Sequence, residues 1–312
     1  MDRQTPLIVI TGPTCSGKTR LAFMLSRKQD IEVVSADSMQ IYHYMDIATA
    51  KPTNEERTAL PHHLIDVVNP DEPFNAGMFV RMAQEKITEI RVRKKVPLVV
   101  GGTGLYIKAL IYGLAPAPAR SEKLRSTLRS LIDRRGIVYL EFMLKRMDPD
   151  MASLIRKNDA LRIIRALEII FETGQKPISL FKAHGFHNPL YQAKIACIMP
   201  SRDLLYQDID QRVMGMIQRG LLDETRKLLD MGYSPELQSM QTLAYRHVIM
   251  HLKGEISLDE AVGLIRRDTR RFAKRQITWM KARPDHTLFD SIEEAHDMVS
   301  AWIEDLGLRP KA

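Results

Sequence analysis

The stretch Gly12-Pro13-Thr14-Cys15-Ser16-Gly17-Lys18-Thr19 constrains this chain more than any other. It matches G-x-x-x-x-G-K-[ST], the phosphate-binding loop, a pattern that carries meaning only between a strand and a helix. Leu7-Ile8-Val9-Ile10 reads as a buried strand before it, and Leu21-Ala22-Phe23-Met24-Leu25 continues on a helical pattern after it. The glycines let backbone N–H groups turn inward around phosphate oxygens, and the helix N-terminus adds a partial positive charge. Lys18 is placed to reach a terminal phosphate, and the Thr19 hydroxyl to sit on Mg2+. The motif specifies a polyphosphate or pyrophosphate group and leaves open whether a nucleotide carries it.

Two further strands aim at the same place. Ile31-Glu32-Val33-Val34-Ser35 ends in Ala36-Asp37-Ser38-Met39-Gln40-Ile41-Tyr42. Ligands of open α/β sheets bind beyond the carboxyl ends of the strands, so Asp37 is a candidate general base or substrate acceptor. A structural cap is the competing role. Pro97-Leu98-Val99-Val100 ends in Gly101-Gly102-Thr103-Gly104, whose glycines permit close approach of a ligand and whose Thr103 offers a hydroxyl. No Asp or Glu follows that strand, which disfavours a motor-type ATPase. His62-His63-Leu64-Ile65-Asp66-Val67 suggests a short strand. Its adjacent histidines point to opposite sides and suit hydrogen bonding or packing better than a metal. Lys51, in Ala48-Thr49-Ala50-Lys51-Pro52, reads as a solvated lysine.

The pattern changes after Leu114-Ala115-Pro116-Ala117-Pro118-Ala119, a linker composition. Helical periodicity then runs through Glu122–Asp133, Tyr139–Arg146 and Asp159–Thr173, the last closed by Gly174. A strand returns at Ala193–Met199, and the rest reads as helical. The expected fold is α/β, a P-loop NTPase-like parallel sheet flanked by helices, with an all-helical insertion. The expected domains are 1–118 with 192–312 for the core and C-terminal helices, and 119–191 for the insert.

Between Arg266 and Arg283, eight basic residues (Arg266, Arg267, Arg270, Arg271, Lys274, Arg275, Lys281, Arg283) face the single acid Asp268. Ile265, Phe272 and Trp279 recur at intervals of seven and are expected to mark the buried face. The lopsided charge, with a chain net charge of +8, points to a phosphate backbone. Two cysteines without C-x-x-C spacing argue against zinc and for a reducing compartment. No run approaches the ~18 apolar residues of a membrane span. Met1-Asp2-Arg3-Gln4 leads almost directly into a strand, leaving no room for a leader. The expectation is a cytoplasmic monomer without membrane contact.

The order of these motifs, followed by Arg162-Ile163-Ile164-Arg165-Ala166-Leu167-Glu168 and Thr269–Trp279, resembles bacterial tRNA dimethylallyltransferases, also called tRNA isopentenyltransferases. The resemblance covers Leu7 to about Arg283. One departure is Ala244 in Leu243-Ala244-Tyr245-Arg246, where the family usually has Gly. The resemblance implies attack of adenine N6, 3′ of the anticodon, on C1 of dimethylallyl diphosphate, with pyrophosphate leaving. It implies Asp37 as base, and Lys18, Thr103 and Arg212 on the diphosphate, with Mg2+ at Thr19. It places contacts to the tRNA anticodon stem-loop at Asp37, Ser38, Met39, Gln40, Thr103, Arg125, Leu161, Arg162, Ile163, Ile164 and Arg165. Further contacts fall at Gln241, Tyr245, Arg246, Lys274, Arg275, Gln276, Trp279 and Lys281. Gln40 would read the adenine edge, while the insert and the basic helix clamp the stem-loop. A free-nucleotide isopentenyltransferase and a P-loop small-molecule kinase are the competing readings.

Overall fold

The structure, a computed structural model, describes residues 6–306, so the Met1–Gln4 stretch read above lies outside the described residues. β1 (Pro6–Thr11) leads into α1 (Lys18–Ser26), β2 (Ile31–Ser35), α2 (Asn54–Ala59), β3 (His62–His63), α3 (Ala76–Val92), β4 (Val96–Val100) and α4 (Gly104–Tyr112). Five helices follow: α5 (Glu122–Arg135), α6 (Ile137–Met147), α7 (Pro149–Leu154), α8 (Ala160–Thr173) and α9 (Pro177–His184). The chain closes with β5 (Gln192–Ile198), α10 (Arg202–Gln218), α11 (Leu221–Asp230), α12 (Leu243–Leu252), α13 (Leu258–Lys281), β6 (His286–Phe289) and α14 (Ile292–Asp305).

The six strands form one all-parallel sheet in the order β3-β2-β4-β1-β5-β6. Alternation along β1 divides the core. Ile8 and Ile10 pack with Leu21 and Leu25 of α1 and with Val299 and Ile303 of α14. Leu7 and Val9 point to the opposite face and are equally buried. Near-continuous apolar strands such as Val96–Val100 follow from burial on both faces. Phe79 of α3 stacks on Tyr106 of α4, centroids 4.4 Å apart and planes 13° apart.

Register aligns the strand ends. Ile10 pairs with Val100, Ser35 with Val100, and Thr11 with Cys197, so the segments after β1, β2, β4 and β5 leave the same edge. A second apolar cluster joins α10–α13 to the Ile41–Ala48 segment, with Tyr245 at its centre. There Lys51 is buried, not solvated as its sequence suggests. Its Nζ donates to Tyr42 O, Asp46 Oδ1 and Asp66 Oδ1 at 2.5, 2.7 and 2.6 Å. The short strand stops after His63, whose Nε2 lies 2.7 Å from Glu32 Oε2.

The described residues fall into two compact units, one running up to Ile111 and resuming at Pro189, the other Tyr112–Asn188. Chain exit and return are adjacent, since Leu190 N–H donates to Ile111 O at 2.6 Å. The intervening unit is all-helical around Leu128, Leu140, Leu144, Ile164 and Leu167. Its α8 begins where Asp159 accepts Arg162 N–H and stops at Gly174, φ 68°. Beyond the basic helix the chain returns to the sheet as β6, an edge strand, where the sequence reading expects only helix.

Candidate active site

The strand ends are tied together by their own backbone. Thr11 Oγ1 donates to Gly101 O at 2.9 Å, Gly101 N–H to Ile10 O at 3.1 Å, and Thr103 N–H to Ala36 O at 3.2 Å. The loop that follows β1 has the conformation its glycines permit. Gly12 has φ 152°, and a Cβ there would stand 2.5 Å from Ile198 O. Gly17 caps α1 with φ 85°. Cys15 adopts φ 64° without being glycine, a strain that persists where surroundings over-determine the backbone.

Charge converges on this loop. Lys18 Nζ donates to Gly12 O at 3.0 Å and Pro13 O at 2.6 Å, closing the loop on itself. Burial lowers its pKa to about 8, with Asp37 opposing the shift and Arg212 adding to it. Arg212 reaches in from α10, its Nη1 3.1 Å from Thr14 Oγ1. The Ser16 hydroxyl is buried with no partner, an orphaned polar atom inside the loop. Thr19 lies exposed in the first turn of α1.

Asp37 sits beyond β2 with one oxygen committed. Oδ1 accepts Met39 N–H at 2.8 Å and Gln40 N–H at 3.4 Å, so it caps the turn. Oδ2 has no hydrogen bond from the described residues and remains able to accept a proton. Thr103 Oγ1 accepts Ser38 N–H at 3.0 Å, and its own hydrogen faces Ser38 Oγ at 3.4 Å. The Gln40 amide is engaged internally. Its Oε1 accepts from Ser35 Oγ at 2.9 Å, and its Nε2 faces Thr49 O and Ala50 O at 3.4 and 3.3 Å.

The glycines after β4 make room for protein, not for a ligand. A Cβ on Gly101 would collide with the Ala36 backbone, one on Gly102 would meet Gln276 Nε2 at 2.7 Å, and one on Gly104 would meet the Trp279 ring at 2.5 Å. Helix α13 therefore lies directly over this segment. Its buried residues are Ala261, Ile265, Asp268, Ala273, Gln276 and Met280. Phe272, expected on the buried face, is 38% exposed, and Trp279 is half-buried.

The basic helix is less free than its composition suggests. Arg270 Nη2 lies 2.5 Å from Asp210 Oδ2 on α10, with Arg266 4.0 Å from the same carboxylate. Arg246, His247, Arg267 and Arg271 all bond Asp268. Lys274, Arg275 and Lys281 are exposed and form no ion pair among the described residues. Other expected tRNA contacts are enclosed. Arg125 is buried against Glu168, Arg165 bonds Glu168 and Pro118 O, and Ile163 and Ile164 are core residues. The side chains of these four are engaged inside the insert, while Leu161 and Arg162 are exposed beside them. Tyr245 is likewise fully buried, its hydroxyl donating to Glu224 Oε1 at 2.6 Å. Gln241 is exposed, its amide 2.7 Å from Pro235 O. Ala244 lies in the first turn of α12, its methyl in the apolar cluster, so the departure from Gly is absorbed by packing.

One organising residue escapes sequence reasoning, and a second is expected there only as a tRNA contact. Glu224 accepts Asp46, Ile47 and Ala48 N–H groups at 2.9, 2.7 and 3.3 Å, fixing the segment after Tyr42. Gln276 accepts Thr14 N–H at 2.9 Å and donates to Gly102 O at 3.0 Å. Neither carries a local motif.

A parallel sheet with this loop at its strand ends, cations folded onto it and a half-free carboxylate beyond β2 defines a P-loop α/β enzyme. A family model described as IPP transferase matches residues 40–283, and one described as isopentenyl transferase matches residues 5–72. A protein of Syntrophobacter fumaroxidans named tRNA dimethylallyltransferase is 45% identical over 96% of this chain and 87% of its own. One of Syntrophus aciditrophicus, named tRNA dimethylallyltransferase 2, is 46% identical over 91% of each. The crystal structure of a Bacillus halodurans tRNA isopentenylpyrophosphate transferase superposes with TM-score 0.70 at 38% identity, covering 97% of this chain and 98% of that one. A eukaryotic dimethylallyltransferase described as acting on tRNA superposes with TM-score 0.82 at 27% identity, over 96% and 80%. The chain belongs to the tRNA dimethylallyltransferase family.

Proposed function

We propose that this protein transfers a dimethylallyl group from dimethylallyl diphosphate to N6 of the adenosine 3′ to the anticodon of tRNA, releasing pyrophosphate. One observation carries the reading: a complete phosphate loop faces a carboxylate beyond β2, while β4 ends in Gly101-Gly102 with no acid. Such a loop suits a leaving diphosphate better than a motor-type ATP site. The family relationship supplies the prenyl donor and the tRNA acceptor.

In this reading the N6 lone pair forms a bond to C1 of the dimethylallyl group as the C1–O bond breaks. Both electrons of that bond leave with pyrophosphate, and the N6 proton passes to Asp37 Oδ2. Lys18 exchanges its loop carbonyls for diphosphate oxygens, and Arg212, already at Thr14, adds a second cation. The unpartnered Ser16 hydroxyl and the weakly held Thr103 hydroxyl donate to the same group. The residues suit Mg2+: the loop offers hydroxyl oxygens, and no cluster of three or more His, Cys, Asp or Glu among the described residues competes for it. Thr19 would hold the ion, whose chemistry would be to neutralise charge on the leaving group.

The adenine must leave the anticodon-loop stack to reach the strand ends. Lys274, Arg275 and Lys281, with Leu161 and Arg162 of the insert, are the exposed residues assigned to tRNA. No described helix is long and apolar enough to cross a membrane, and we place the reaction in the cytoplasm, carried out by a monomer. Nucleoside analysis of tRNA incubated with protein, Mg2+ and dimethylallyl diphosphate tests the proposal. Appearance of N6-dimethylallyladenosine supports it. Prenylation of free adenine nucleotides with tRNA left untouched, or transfer of phosphate from labelled ATP to a small acceptor, would overturn it.

A further inference from the structure

Gln276 occupies a position that RNA contact does not explain. It lies near the middle of the basic stretch, between exposed Arg275 and half-buried Ile277, yet it is 9% exposed. Both ends of its carboxamide are spent on main chain far away in sequence. Oε1 accepts Thr14 N–H at 2.9 Å, and Nε2 donates to Gly102 O at 3.0 Å. The first group belongs to the phosphate loop and the second to the turn that follows β4. Gly102 has no side chain in the way, and a Cβ there would stand 2.7 Å from Nε2. Thr14 is held a second time, through its hydroxyl, by Arg212. Helices α13 and α10 thus fix the main chain and the side chain of one loop residue.

We propose that Gln276 is a positioning residue for the phosphate loop, setting the Thr14 backbone against the β4 turn, and is not an RNA-contact residue. Only a side chain with an acceptor and a donor at one end can serve a backbone N–H and a backbone carbonyl together, which selects Gln over the charged residues that crowd this helix. Loss of the carboxamide takes the partners from two part-buried main-chain groups and lets the loop relax away from the form that meets a diphosphate. The inference rests on the diphosphate reading for its ligand.

Its test is binding of inorganic pyrophosphate with Mg2+, measured by calorimetry on the full chain, beside tRNA binding at several salt concentrations. Gln276→Met keeps the volume and removes both hydrogen bonds. Pyrophosphate affinity is expected to fall roughly ten-fold, on the order expected for two buried hydrogen bonds, with tRNA affinity and salt slope unchanged. Gly102→Ala, which displaces the carboxamide while leaving the sequence of α13 unchanged, should weaken pyrophosphate to a similar degree. The double variant should cost little more than either single one, because both break the same bridge. A general loss of folding would lower both affinities together and give additive losses, which overturns the assignment. Weaker tRNA binding with unchanged pyrophosphate affinity also overturns it and returns Gln276 to the RNA surface. If wild-type protein binds no pyrophosphate, the diphosphate reading itself fails, an outcome distinct from equal binding by wild type and variants.

Discussion

Replacing Glu168 by Gln should unfold the helical insert's stability, not its chemistry. The side chain is 0% exposed. It accepts from Arg125 Nε and Nη2 at 3.0 and 3.1 Å, Arg165 Nη1 at 2.5 Å and Ser121 N–H at 2.7 Å. Burial alone would push the carboxyl up, but these donors outweigh it and hold the pKa at about 2, below an ordinary 4.5. At 1.36 kcal/mol per pH unit, that difference is about 3 kcal/mol, within the range for breaking a buried ion pair. Because the folded pKa is depressed, the contribution is complete above pH ~4.5 and disappears as pH falls towards ~2. Glu168→Gln should therefore cost about 3 kcal/mol at pH 7, with the gap to wild type narrowing by about two fifths at pH 3.5. Hydrogen exchange of α5 and α8 amides, read at both pH values, measures it. Arg125→Ala should show a loss of the same order with no change in the salt dependence of tRNA binding. A pH-independent gap would refute the charge argument. Wild-type insert stability in Arg125→Ala, with a flatter tRNA salt plot, would put that arginine on RNA.

Asp37→Asn should lower the rate of prenyl transfer by ~10²–10⁴ with tRNA affinity nearly unchanged; near-normal turnover would end the assignment of Asp37 as base. Lys18, with its pKa lowered by burial to about 8, is charged below that pH. So kcat/KM for the diphosphate substrate should fall as pH rises above about 8, and the limb in kcat should lie higher because bound diphosphate favours the cation; a flat profile to pH 10 would remove Lys18 from the site. Changing Lys274, Arg275 and Lys281 together to Gln should flatten log tRNA affinity against log salt by up to about 2–3, whereas Arg270→Gln, which removes the nearer of Asp210's two arginine partners, should act mainly on stability. Gly104→Ala should drive Trp279 off the β4 turn and lower thermal stability, since its Cβ would meet that ring at 2.5 Å; an unchanged melting temperature would contradict that packing.

What the sequence revealed and what it hid divide along physical lines. The loop from Gly12 to Thr19 and the strands feeding it are legible because their residues act on near neighbours in the chain. Arg125 is not, because an arginine paired with a buried Glu168 has the same letter as one facing solvent. Of the seven-residue recurrence Ile265, Phe272 and Trp279, only Ile265 is fully buried, because the buried face of α13 is partly polar. Asp268 and Gln276 are buried there by bonding, and a hydrophobic pattern does not register them. β6 escapes because four residues with two exposed positions leave no alternation to read. Gln276 is hidden by distance: its partners lie 262 and 174 residues away.

The adjacency of Ile111 and Leu190 has a consequence for how such a chain can be built and rebuilt. The backbone leaves the sheet unit and re-enters it at neighbouring points, where Leu190 N–H donates to Ile111 O at 2.6 Å. What lies between is then a cassette. Its loss or replacement by a short Gly-Ser turn asks the remaining chain to close only a small gap, a cost that grows slowly with loop length. Tyr112–Asn188 could accordingly be shortened, lengthened or exchanged by recombination while the phosphate loop and its strands keep their register. A fold of this plan can change the surface carried by its insert without disturbing the strands that hold the phosphate loop.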